Sequence, residues 1–124
     1  MVQHQLSPNQ QRKVDEITEL QKTVSHVRTL VTELESNRAA KTTIVTNLCG
    51  SIARELSQMR QRLLTAPIGT VADIAGALAI MASRTGGLNM KLRGLTDGVN
   101  SLDMQLDQAL KAAMAPEAKD KAKK

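Results

Sequence analysis

The chain has 124 residues, 17 Lys and Arg against 12 Asp and Glu for a formal net charge of +5, one Cys, and no Phe, Tyr or Trp. This length sets an expectation of one domain, and a hydrophobic content of 41% with 23% charged residues is that of a folded chain. Aromatic rings supply the largest burial per residue, so their absence speaks against base-stacking nucleic-acid modules, aromatic-lined ligand pockets and a conventional globular enzyme, and points to rods of helix.

At the N-terminus, Met1 to Gln10 holds no apolar run of a secretory signal. Ser7-Pro8-Asn9-Gln10 reads as a helix start, with Ser at the N-cap, Pro in the first position and Gln placed to close a capping box. From there Ile17, Val24, Val31, Val45 and Ile52 fall on a seven-residue repeat, and Leu20, Val27, Leu34 and Leu48 follow the first four by three. These are the a and d positions of a heptad. Arg38 at a and Lys41 at d interrupt them. After Ile52 the steps become four, three and four through Leu56, Met59 and Leu63, a stutter that unwinds a left-handed supercoil locally. The pattern predicts one long helix over about residues 8–64.

Thr65-Ala66-Pro67-Ile68-Gly69 reads as a turn, because Pro disfavours helix continuation and Gly permits a positive φ. Thr70 then caps a second helix with Asp73 in its first turn. This helix is predicted over about 71–114, with a positions Val71, Leu78, Thr85, Leu92, Val99, Leu106 and Ala113 and d positions Ile74, Met81, Leu88, Leu95, Leu102 and Ala109. Gly86-Gly87 weakens it, but the heptad phase does not reset there, which favours continuity. Breaks at 36–37 and 85–88 are the alternative, and together they would turn the hairpin into a four-helix bundle. Residues 115–124 contain the helix-stopping Pro116 and no large apolar side chain, the composition of a disordered basic tail.

Folding the two helices back on each other supplies a register test. Pairing Arg38 with Leu95, Ile52 with Met81 and Val31 with Leu102 gives residue numbers that each sum to 133, centred between Ala66 and Pro67, where composition places the turn. The expected fold is therefore all-α: a long antiparallel helical hairpin of coiled-coil type, or its broken four-helix form.

Two features suggest partners. Val71 to Ala82 is apolar nearly all round, and Val71, Ala72, Ala75, Gly76, Leu78, Ala79, Ile80 and Met81 form the expected partner interface. Arg38 and Lys41, in core layers opposite leucines, would either snorkel past the seam or set register and oligomeric state. Arg54, Arg60 and Arg62 near the turn, with Lys119, Lys121, Lys123 and Lys124 in the tail, are the residues suited to an anionic surface.

No constellation for chemistry emerges. His4 and His26 form no metal-binding pair, Cys49 has no second Cys, no phosphate-binding glycine motif is present, and the carboxylates fall on polar helix faces. The expectation is no cofactor, no metal and no small-molecule substrate. A single Cys suits a reducing, cytoplasmic compartment, and Ala66–Ala82, which holds Pro67, Gly69 and Asp73, is not a membrane span. No motif ties the sequence to a particular family. It reads as a non-enzymatic structural or scaffold protein, a coiled-coil subunit that forms homo-oligomers or joins other helical subunits. The alternative is a small basic protein coating nucleic acid or an anionic membrane surface.

Overall fold

The computed structural model describes residues 6–84 and 87–116, which form four helices: α1 (Pro8–Ser36), α2 (Thr42–Leu63), α3 (Val71–Ser83) and α4 (Leu88–Met114). Each helix packs on the next, α4 closes back on α1, and the pairs α1/α3 and α2/α4 lie on the diagonals. This is a four-helix bundle with short connections. The long uninterrupted helices over 8–64 and 71–114 do not form: the first is divided by residues 37–41, the second between Ser83 and Leu88. The broken alternative is the one the chain adopts.

The first break has a local cause. A continuous helix would carry Arg38 and Lys41 into core layers, and burying an unpaired cation is costly. In the loop both are exposed, and Arg38 reaches only Asn89, Nη1 to Oδ1 at 3.5 Å. Asn37 ends α1 by donating from Nδ2 to the Glu33 carbonyl at 2.8 Å, a competing bond of the kind that suits Asn to helix ends. Five consecutive β-branched residues, Thr42 to Thr46, then open α2 at low helix propensity. Arg38 and Lys41 thus occupy no core layer, and the geometry from which a register-setting role was expected is not present.

The helix start at Ser7 forms as the sequence implies. Gln10 N–H donates to Ser7 Oγ at 3.1 Å, and Ser7 N–H donates to Gln10 Oε1 at 2.9 Å. Gln10 also ties α1 to the far end of α4, donating from Nε2 to the carbonyls of Ala113 (3.2 Å) and Ala115 (2.7 Å). The turn at 64–70 contains Gly69 at φ 48°, a conformation that L side chains rarely adopt. Thr70 is the N-cap of α3 but makes no capping bond with its side chain. Instead Gln105 of α4 clamps it: Thr70 N–H donates to Gln105 Oε1 at 3.1 Å, and Gln105 Nε2 donates to Thr70 Oγ1 at 2.8 Å.

The core is built of Leu, Ile, Val and Ala with Met59 and Cys49. Ile17, Val24, Val27 and Leu34 of α1, Ile52, Leu56 and Leu63 of α2, Val71 of α3, and Leu95, Leu102 and Leu106 of α4 are almost wholly excluded from solvent. Each such side chain contributes about 1.5–3 kcal/mol, so aliphatic layers suffice without rings. The antiparallel turn at 64–70 surrounds the expected midpoint, but the register of 133 does not extend to α1 and α4. Arg28 Nη2 donates to Asn100 Oδ1 at 3.0 Å and pairs with Asp103, while Arg38 meets Asn89 rather than Leu95. Once two loops interrupt the chain, reflection about the turn no longer sets how α1 meets α4.

A charge-poor face and the groove above α3

The residues expected to form the partner interface sit on α3, and the bundle itself uses half of them. Val71, Ala75, Leu78 and Ala79 are buried in the core; Ala72, Gly76 and Met81 are partly covered; Ile80 alone is largely open, at 57%. The small residues serve close packing within the molecule. A Cβ on Gly76 would lie 2.9 Å from Arg60 Cδ, one on Gly94 would lie 2.5 Å from Met81 Sδ, and one on Gly98 would collide with Leu78. The eight residues are therefore not a free surface, and only Ile80 keeps most of its side chain available.

What α3 shares with the first half of α2 is a lack of charge. The twelve residues Thr42–Ala53 carry none, and Asp73 is the only charge in α3. In contrast, α1 and α4 carry most of the acids and bases, including the Arg28–Asp103 pair that joins them. Arg54, Arg60 and Arg62 are exposed on the second half of α2, and no ion pair involves them among the described residues. Residues 117–124 of the expected disordered tail, with Lys119, Lys121, Lys123 and Lys124, lie outside the described residues, as does His4.

A second feature follows from helix lengths. Both α2 and α3 start from the 64–70 turn, but α2 has 22 residues and α3 only 13. The shortfall of nine residues, about 13 Å of helix, lies entirely at the end away from that turn. At that end lies a groove of about 460 Å³ lined by Thr42, Val45, Thr46, Cys49 and Gly50 of α2, Ala82, Ser83 and Arg84 at the end of α3, and Leu88 and Lys91 of α4. Val45 and Leu88 are only partly buried, and Ile44 (43% exposed) and Met90 (81%) stand in the first turns of α2 and α4 at the same end. Lys91 is held at the groove: its Nζ donates to the Arg84 carbonyl and lies 3.9 Å from Cys49 Sγ. Cys49 is buried at 7% exposure and unpaired.

Reading heptads over-weighted Val71–Ala82 and missed Val45, Cys49, Ala82, Leu88 and Lys91 as a group. The signal that could have found this region is the uncharged run 42–53, since the core of an association surface is depleted of charge. Among the described residues no group of three or more His, Cys, Asp or Glu is placed to hold a metal ion, and no helix is long and apolar enough to cross a membrane. No protein-family model matches the sequence, and neither the curated proteins nor the solved structures yield a match to it.

Proposed function

We propose that the protein is a non-enzymatic structural subunit that works by association, joining copies of itself or other helical subunits through the side formed by α2 and α3, in a reducing, cytoplasmic setting. The observation that carries this reading is the distribution of charge. A surface meant for water is normally studded with acids and bases, whereas the first half of α2 and nearly all of α3 present Thr, Asn, Gly, Ala and Ile instead. Burying the first half of α2 and most of α3 removes little charge from water, so association there avoids most of the desolvation penalty that a charged face would impose.

Light scattering from the micromolar to the millimolar range tests it. The mass is expected to rise above the 13.4 kDa of one chain as concentration increases. A mass fixed at the monomer value leaves only hetero-association, and if helical peptides then also fail to bind, the reading is overturned.

A further inference from the structure

The groove lies beyond the end of α3, between the first half of α2 and the start of α4. Its floor is apolar, through Val45, Ala82 and Leu88, and Gly50 and Ala82 leave room for close backbone approach. Its charges are of one sign. Arg84 and Lys91 line it, Lys41 precedes its first lining residue, and no Asp or Glu takes part in the lining. Neither Arg84 nor Lys91 belongs to an ion pair among the described residues. Lys91 is also pinned in place by the Arg84 carbonyl, so its ammonium is oriented before anything binds.

We propose that this groove receives an amphipathic helix from a partner protein, apolar along the stripe that enters it and acidic along the flank that meets Arg84 and Lys91. The inference rests on the association reading above and names the partner's chemistry. Helix-in-groove docking of this kind reads anchors at helical spacing, and cations outside any ion pair select the sign of the flank. The chain's own C-terminal segment, Glu117 to Lys124, does not suit the site: it has no large apolar residue and is itself net basic.

Two synthetic helical peptides of about 14 residues, roughly 21 Å long, test the proposal. Both carry a Leu stripe and one Trp; one has Glu on its flanks, the other Lys. Because the protein has no aromatic residue, the peptide Trp is the only indole in the mixture. The acidic peptide is expected to show a saturable blue shift on titration and to slow modification of Cys49, the only thiol, by a thiol reagent. The basic peptide should bind at least about tenfold more weakly, as should the acidic peptide to the Arg84→Glu/Lys91→Glu variant. Circular dichroism checks the fold of that variant, and Arg84→Glu alone, at an exposed position, must change affinity in the same direction. Equal binding of the two peptides, or none, overturns the proposal. If neither binds while the protein self-associates and Cys49 becomes protected, the groove belongs to a second copy and the association reading stands. If neither binds and the mass stays monomeric, both fall.

Discussion

Glycine substitutions separate the two demands that a helical glycine can answer. Gly50 faces open space, with nothing within 4 Å of an added Cβ, so Gly50→Ala should gain helix propensity and stabilise the fold by about 0.5–1 kcal/mol. Gly98 is where α4 meets the buried Leu78, and an added Cβ there would collide with all three outer carbons of that side chain. Overpacking of this kind costs about 1–3 kcal/mol, so Gly98→Ala should destabilise in spite of its better propensity. Urea titration followed by circular dichroism reads both, and stabilisation by Gly98→Ala would contradict the close approach of α3 and α4. Gln10 concentrates several roles in one side chain: it closes the capping box and satisfies two carbonyls at the end of α4. Those carbonyls are the orphans of a helix terminus, so Gln10→Ala should cost about 1–2 kcal/mol in the same assay. Only the local half of this was readable from Ser7-Pro8-Asn9-Gln10, because the tie to Ala113 and Ala115 spans over a hundred residues and leaves no mark in a spacing pattern.

At the scale of elements, periodicity located most of the buried positions, though not Leu30, Cys49, Ile68, Ala75, Ala79 or Ala82, and it did not locate the breaks between helices. Ile17, Leu20, Val24, Val27, Val31 and Leu34 are all buried, and so are Leu56, Met59 and Leu63 beyond the stutter. A heptad phase reports which residues share a face, and a loop that happens to preserve the phase is invisible to it; the connection after Ser83 is such a case. The first break announced itself through Arg38 and Lys41, residues whose charge a core layer would not accept. This makes the connection between α1 and α2 testable. Arg38→Leu with Lys41→Leu removes the penalty for running α1 straight into α2. An opened connection exposes the seams of both helices, and exchange of elements between copies is the low-cost way to cover them. The double variant is expected to shift toward an elongated dimer, seen as a larger mass in light scattering and a larger radius of gyration in small-angle scattering. A variant indistinguishable from the parent would mean that the Asn37 bonds and the β-branched start of α2, rather than the two cations, set the break.

For the whole molecule, the bundle has two unlike sides, and the difference lies in charge rather than in apolar content. Large apolar side chains are exposed on both: Ile80 on α3 at 57% and Met104 on α4 at 60%. Single exposed apolar residues are ordinary on any surface, so exposure by itself does not separate them. Their surroundings do. Met104 lies beside Asp103, which pairs with Arg28, and within a turn of Asp107, which pairs with Lys111 at 3.2 Å. Ile80 lies one turn from Arg84 at the end of α3, and the one acid of the helix, Asp73, is about two turns away. Neither side chain supports the core, so Ile80→Lys and Met104→Lys should both leave the urea midpoint nearly unchanged, within about 0.5 kcal/mol. Their effects on association should differ. A lysine at position 80 would have to be desolvated inside a face with no acid near it, weakening self-association by at least about tenfold. A lysine at position 104 would sit among carboxylates that face water in any case and should change the concentration dependence of mass by less than about twofold. Light scattering of the two variants side by side decides the matter. Equal loss in both, or loss confined to Met104→Lys, would move the association surface away from α2 and α3, and the charge-poor face would then be no more than the side of the bundle on which small residues let the helices pack closely.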